Sequence, residues 1–507
     1  MGQGHIRKGF FFYFGLFVLL LITIFLICLV VMIFNPGSTV LWMQYFSGNE
    51  TIPITHTTDT TEAEIDWNSI TDLEINCTYA DVTVERDNNR EYDRNGLYIF
   101  NYAKGFTGAA NAVQFDYEVL YDGTILRVNI TEPTGFLFFS RDIRIVLHST
   151  TLNQFENFMQ NMNITVNTTS GDVDLGGSFN TNSDSPLTSV RSLDISTTSG
   201  DIMVSNNLET TALQDLSLET GSGSIRSAST VSYNGGTGSG LQLNCSPTFI
   251  TDSGTVNINA LLVGTNDVSV TCKGGNVVMN YVSANKVDFV ASEEGNYVFD
   301  EVYADVSFAN SEDSIISPNV TAGTIHGNFS LATREGQRSS PDIVIDEIVA
   351  SGDSAGAIYV TATSGSLTVG SVAGSVEVIS SNAMSVDIEV APNNQNSISI
   401  TNNSGSIRLA FEGVVSDDVT LRNETGRTSV DITNTADFVA DMFVFDAQNQ
   451  EEAGRERLSD ENITINIGDV AQDSQKNPFQ IGDGDGQITI FTDRTVTFNL
   501  VDASTLA

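Results

Sequence analysis

Ile164-Thr-Val166-Asn-Thr-Thr-Ser170-Gly171-Asp172-Val173-Asp-Leu175 reads as two alternating apolar residues, a polar corner with glycine, and two more alternating apolar residues. Leu193-Asp-Ile195-Ser-Thr-Thr-Ser199-Gly200-Asp201-Ile202-Met-Val204 matches it almost position for position. The pattern returns at Leu216/Leu218–Gly223–Ile225, Val268/Val270–Gly275–Val277/Met279, Ile358/Val360–Gly365–Leu367/Val369 and Ile398/Ile400–Gly405–Ile407/Leu409, and more weakly around Gly254, Gly295 and Gly426. Where copies follow directly, their glycines are 20–31 residues apart, a solenoid-like period. The longer gap from Gly295 to Gly365 predicts coils that have lost the signature.

Alternation with period two makes each half-repeat a strand with one buried face. The Ser-Gly-Asp or Ser-Gly-Ser corner predicts positive φ at Gly171, Gly200, Gly223, Gly365 and Gly405, with local hydrogen bonds from Ser, Thr and Asp. A lone coil cannot bury its apolar stripe, whereas stacked coils place Ile on Val on Leu and close a continuous core. The expected fold class is therefore all-β, a parallel β-helix or related β-solenoid over residues 161–435. An antiparallel β-sandwich is the competing architecture, because the same pattern can flank a hairpin loop.

Outward from the repeats, residues 63–160 carry strand-like runs at Leu73–Val84, Leu97–Tyr102, Val113–Leu120, Thr124–Ile130 and Ile143–Leu147. They read as first coils or as a cap over the solenoid's open edge, which would otherwise invite aggregation. Residues 436–507 comprise a charged loop, Gln448–Glu461, and closing strands over Gln487–Leu500.

At this point the chain resembles the putative-adhesin domains of bacterial and fungal envelope proteins, whose repeats carry the strand–Ser-Gly-Asp–strand corner. Ile143-Arg-Ile-Val-Leu147, a spacer, and Asn163-Ile-Thr-Val-Asn-Thr-Thr-Ser-Gly-Asp172 look like the lead-in of such domains, and the likeness covers roughly 70–435. It implies a β-solenoid, usually membrane-tethered, with an adhesive role and no assigned catalytic activity. The corners at Gly254, Gly295 and Asn382-Ala383 depart from the motif.

The 507 residues carry 22 Lys+Arg against 63 Asp+Glu, a net charge of −41. Such a surface repels phosphate backbones, which counts against nucleic acid as a partner. The charge is unevenly placed. Phe10 to Phe34 is a run of 25 residues without a charge, preceded by Arg7 and Lys8 and followed by Trp42 and Tyr45. As a helix it would extend about 37 Å, enough to cross a hydrocarbon core of about 30 Å. Its length exceeds a signal-peptide apolar region, and the exit Asn35-Pro36-Gly37-Ser38 offers no small-x-small cleavage site. The expectation is a cytosolic tail over 1–9, a single transmembrane helix over 10–34, a Thr-rich stalk over 35–62 and an exterior of net charge −43 at the cell surface.

Eleven Asn-x-Ser/Thr sequons follow, at Asn49, Asn76, Asn129, Asn163, Asn167, Asn244, Asn319, Asn328, Asn402, Asn423 and Asn462. They are glycosylation candidates in a eukaryotic secretory pathway, although a chain this rich in Asn, Ser and Thr generates sequons by chance. Cys245 and Cys272 fall in neighbouring repeats and are a candidate disulfide, which leaves Cys77 outside the pair.

Parallel β-helices also house polysaccharide lyases and hydrolases, whose sites need paired carboxylates on one face. Glu293-Glu294, Asp417-Asp418 and Glu451-Glu452 sit in polar loops where solvation explains them. His5, His56, His148 and His326 are not spaced as metal ligands, and the sparse cations do not cluster as a lyase of acidic sugars would need. No cofactor is expected. Calcium is the one inorganic partner with a sequence basis, through Asp172 and Asp201 in matching corners and through Asp483-Gly484-Asp485-Gly486, but turn-forming Asp is the preferred explanation of both, since the calcium-loop spacings are incomplete. The resulting expectation is a non-catalytic, membrane-anchored, adhesin-like solenoid that contacts glycans or surface proteins. A self-associating envelope component, forming homo-oligomers, is the second reading, and a carbohydrate-active β-helix enzyme the third.

Overall fold

The structure is a computed structural model. It describes residues 13–24, 43–48, 69–79, 81–87, 96–106, 116–122, 124–131, 138–148, 161–175, 190–205, 213–291, 295–310, 317–333, 338–392, 394–415, 418–433, 437–445, 456–467, 470–471, 477–481 and 486–501. About two thirds of them are strand, and one short helix accompanies the strands at the N-terminus. Asn163–Thr168, Ser192–Thr197, Asp215–Thr220 and Ser246–Thr251 pair in parallel, in unbroken register, so that Ile164 lies on Leu193 and Leu193 on Leu216. The second halves do the same: Val173–Leu175, Ile202–Val204, Ser224–Ser227 and Thr255–Asn257 form a parallel ladder. Among the described residues, antiparallel pairing of strands is confined to the two ends of the stack and to one hairpin, apart from a single bridge between Ser351 and Ser354. The solenoid reading therefore holds and the antiparallel sandwich does not: the half-repeats do not fold back on each other but continue to the next coil.

The core is a set of columns. One runs from Val128 through Ile75, Val166, Ile195 and Leu218 to Phe249, and onward through Val270, Phe289, Phe308, Leu331, Val360, Val378, Ile400 and Leu421 to Ile490, each stacked on the next. Every one of these side chains is buried. With strands about 4.8 Å apart, the column extends about 65–70 Å. Where it widens, aromatic residues fill it: Phe289 stacks on Phe308 at 4.7 Å, and Tyr297 meets both edge-on while donating its hydroxyl to the Cys272 carbonyl at 3.1 Å. Burial pushes the Tyr297 phenol far above its ordinary range.

The coils begin with two strand rows. A third is added from Gly240–Gln242 onward, through Ala260–Leu262 and the segments 281–283, 301–303, 324–326 and 347–349. It ends where Val372 pairs with Val390 and the coils become two-sided again. The coils without a corner glycine fall in this stretch, as the gap between Gly295 and Gly365 required: Asn319–His326 with Phe329–Ala332, and Asp342–Val349 with Ile358–Ala362.

Both ends are closed in the same unexpected way. Asp72–Asn76 lies between Ile125–Thr131 and Asn163–Thr168, so the first coil in sequence is the second in the stack. Gly486–Thr492 likewise lies between Val419–Asn423 and Phe438–Phe443, and Val496–Val501 between Arg427–Thr433 and Ile463–Ile467. The chain lays down an outer coil and returns to fill the gap beneath it. Outside these, Asp116–Asp122 and Gly96–Phe106 cover one end in antiparallel fashion, and Phe479–Ile481 and Val470–Ala471 the other, blunting the edges.

The corner glycines are present for a different reason from the one expected. Gly365 and Gly405 do have positive φ, at +124° and +106°. Gly171, Gly200 and Gly223 do not. There the constraint is proximity: a Cβ on Gly200 would lie 1.9 Å from the carbonyl oxygen of Gly171, and one on Gly254 1.7 Å from that of Gly223. A buried threonine completes four of these corners. Thr168, Thr197, Thr220 and Thr251 accept the amide hydrogens of Gly171, Gly200, Gly223 and Gly254 through Oγ1, at 2.8–3.1 Å.

At the N-terminus, residues 13–24 are helical and exposed. Among the described residues no helix is long and apolar enough to cross a membrane. The remainder of the expected 10–34 span, the 1–9 tail and most of the stalk lie outside the described residues.

Candidate functional site

The third strand row carries an aromatic series that the sequence pattern did not single out. Parallel register places Tyr281 beside Glu301, and Val302 beside Ile325, so that Tyr303 and His326 share one outward face with Tyr281. Tyr303 and His326 stack at 4.1 Å with an interplanar angle of 2°, and Tyr281 lies 5.6 Å from Tyr303. A hairpin, Thr230–Tyr233 with Gly236–Gln242, completes the row. Its two turn residues, Asn234 and Gly235, have φ of 50° and 76°, the left-handed pair that an Asn-Gly hairpin turn requires. The turn brings the Tyr233 ring to 4.9 Å from Tyr281, where the Tyr233 hydroxyl accepts from Asn259 Nδ2 at 2.9 Å.

Glu301 is the polar centre of this face. It accepts from the Tyr303 hydroxyl at 2.6 Å and, on its other oxygen, from Asn234 Nδ2 at 2.6 Å, and His326 Nε2 is 3.7 Å away. The hydrogen bond to Glu301, with burial and the carboxylate charge behind it, pushes the Tyr303 phenol up to about 12. Tyr281 is also raised, by burial and then by Glu301. The signal available in the sequence was Tyr281, Tyr303 and His326 at coil-length intervals, but it is legible only once the third row is known to exist.

A second feature lies on the two-sided part, where three successive coils form an open cavity of about 460 Å³ lined by Asn163, Thr165, Arg191, Ser192, Asp194, Gln214, Asp215 and Ser217 around Leu193. Asn163 and Ser192 are committed to the fold, Asn163 donating to Asp72 and Ser192 donating to Asn163 at 2.8 Å each. The exposed side chains of Arg191, Asp194, Gln214 and Asp215 have no hydrogen bond or ion pair to any described residue. In a chain so poor in cations, a guanidinium and two carboxylates that no described residue engages form an exposed hydrogen-bonding surface.

The remaining expected site residues are dispersed. Asp172 and Asp201 do stack, but as turn residues: Asp172 Oδ1 accepts the Asp201 amide and Asp201 Oδ1 the Ser224 amide, both at 2.7 Å. Among the described residues no three His, Cys, Asp or Glu side chains gather as metal ligands. Asp483, Asp485, Glu293, Glu294, Asp417, Glu451, Glu452, His5, His56 and Asn49 lie outside the described residues, and of His148 only the backbone is described.

Asn76, Asn129 and Asn167 form an amide ladder across three adjacent coils, with Nδ2-to-Oδ1 distances of 3.0 Å. Asn319 ends a second such ladder on Asn296 and Asn276. Asn163, Asn244, Asn328 and Asn462 are at least partly exposed. Asn402 and Asn423, in contrast, are buried at the corners, donating to the Met384 carbonyl at 2.7 Å and the Gly405 carbonyl at 3.3 Å, so a glycan on either has no room in the folded chain. The disulfide expectation also fails. Register sets Cys272 beside Thr251, at the far end of the strand that follows Cys245. Six residues of strand separate them by about 20 Å, against about 5.5–6 Å between the Cα atoms of a disulfide. Both are unbridged buried thiols.

No protein-family model matches the chain, and no curated protein matches it. Solved structures do match in part. A putative cell adhesion protein from Clostridium sporogenes is 8% identical, with 48% of this chain and 99% of that one covered and a TM-score of 0.25. A putative adhesin from Bacteroides fragilis is 11% identical, with 60% and 97% covered and a TM-score of 0.28. One from Parabacteroides merdae is 12% identical, with 68% and 96% covered and a TM-score of 0.24. This chain is similar to solved structures named as adhesion proteins.

Proposed function

We propose that this protein is a non-catalytic, adhesin-like surface protein, tethered to a membrane through its N-terminal apolar segment, whose solenoid makes contact with extracellular glycans or surface proteins. The observation that carries the reading is the open cavity at 163–217, where Arg191, Asp194, Gln214 and Asp215 present donors and acceptors that no described residue takes up. Such mixed donors and acceptors suit the hydroxyls of a neutral sugar, each of which both donates and accepts. They suit a polyanion poorly, because the net charge of −41 repels it.

The 25-residue uncharged run and the −43 exterior beyond it support the tethered topology. The test is binding of the full chain, in detergent, to a panel of neutral glycans and to cells. Binding that disappears in an Arg191→Ala/Gln214→Ala double variant of unchanged circular dichroism supports the reading. Absence of binding to every glycan and cell type rejects it.

A further inference from the structure

We propose that Tyr233 and Tyr281 are a site of oxidative cross-linking, at which a peroxidase-class oxidant joins the hairpin covalently to the solenoid as a dityrosine. Three phenols stand in series, Tyr233 to Tyr281 at 4.9 Å and Tyr281 to Tyr303 at 5.6 Å between ring centroids. All three are partly exposed, so a small oxidant reaches them. A phenol that loses an electron must also lose its proton, and the Tyr303 hydroxyl already donates to the Glu301 carboxylate at 2.6 Å. Tyr303 is therefore the phenol best prepared for the first oxidation. Its radical is refilled by the neighbouring Tyr281, and the proton returns from Glu301.

Coupling falls to Tyr281 and Tyr233 because of what holds each ring. Tyr303 is pinned between Glu301 and the His326 ring stacked at 4.1 Å. Tyr233 is held by one hydrogen bond, from Asn259 Nδ2 to its hydroxyl, and ends a strand that pairs only with the other arm of its hairpin, the kind of element with least independent stability, so its ring can close the remaining distance.

In the balanced reaction, each phenol gives up one electron and one proton from its O–H bond. The two electrons and two protons reduce one hydrogen peroxide to two waters. The two radicals join through a new carbon–carbon bond between ring carbons ortho to oxygen, and the displaced ring hydrogens return to the oxygens, restoring both phenols. The product ties residue 233 to residue 281 and fixes the hairpin over the third strand row.

The experiment treats the full chain with a haem peroxidase and hydrogen peroxide and follows dityrosine fluorescence in the monomeric fraction, with peptide mass mapping. The expected product is an intrachain pair of peptides containing Tyr233 and Tyr281, two hydrogens lighter than their sum. Tyr233→Phe and Tyr281→Phe, each keeping the ring, are expected to reduce that fluorescence to background. Glu301→Gln is expected to slow its appearance severalfold while the same two peptides are joined. If Tyr281→Phe fails to fold, Tyr233→Phe at the exposed tip decides alone. Cross-links found only between chains, only at other tyrosines, or unchanged in Tyr233→Phe would overturn the proposal.

Discussion

The carbonyl oxygen of Gly200 occupies space directly under Gly223, 1.8 Å from where a side-chain carbon on Gly223 would sit. The contact is backbone to backbone, so neither partner has a rotamer through which to yield. It repeats from coil to coil and sets how closely the corners stack.

Gly223→Ala is expected to lower stability by about 3 kcal/mol, at the upper end of the cost of overpacking a close-packed interior. Gly235→Ala is the control. It has open space around it but φ of +76°, so only backbone strain of about 1 kcal/mol is expected. Urea unfolding followed by circular dichroism separates the two, and equal effects would contradict the account.

Arg408 bridges three coils. Its Nη1 is 2.8 Å from Asp387 and its Nε 2.7 Å from Asp431, which is nearly buried and also accepts from Asn499 at 2.6 Å. Burial alone would lower the guanidinium pKa, and the hydrogen bonds to the two carboxylates outweigh it. Arg408→Leu leaves Asp431 without its cation and is expected to cost about 2–3 kcal/mol. Arg408→Leu/Asp431→Leu is expected to cost less than the single change, because no uncompensated charge remains. The same unfolding measurement compares them.

Tyr303 predicts an alkaline weakness. Its folded value of about 12 lies above that of an unfolded tyrosine, near 10, so the folded state favours the neutral phenol. That stabilisation is complete below pH ~10 and is lost as pH rises toward ~12, where the folded phenol also ionises. Glu301→Gln removes the acceptor charge and is expected to move the Tyr303 titration down toward the ordinary range, and that of Tyr281 with it to a smaller extent, as read by tyrosinate absorbance. An unchanged titration would remove Glu301 as the cause.

The thiols predict inertness. Burial, with the Asp215 charge behind it, pushes Cys245 up to about 11, and burial raises Cys272. At pH 8 about one thousandth of a thiol with that value is thiolate, the reactive form. Iodoacetamide is expected to leave both cysteines unmodified in the folded chain and to label both in denaturant, as counted by mass spectrometry. Labelling of Cys245 or Cys272 at native pH without denaturant would show the corners to be open.

Period-two alternation and a recurring glycine corner were enough to specify strands, their buried faces and their stacking, because both are local consequences of backbone geometry repeated at a fixed interval. Ile164, Leu193 and Leu216 could be aligned as one column from sequence alone, and so could Thr168, Thr197, Thr220 and Thr251. The third strand row was not legible, because segments 281–283 and 301–303 belong to strands that turn a corner without a break, and only register across coils reveals that Tyr281, Tyr303 and His326 share a face. The end closure was equally hidden: that Gly486–Thr492 slides beneath Phe438–Phe443 depends on which edge remains unpaired once the other coils have stacked. The fate of Asn402, Asn423, Cys245 and Cys272 also rests on position within the stack. Local pattern determines what each segment becomes, and long-range pairing decides which side chains meet.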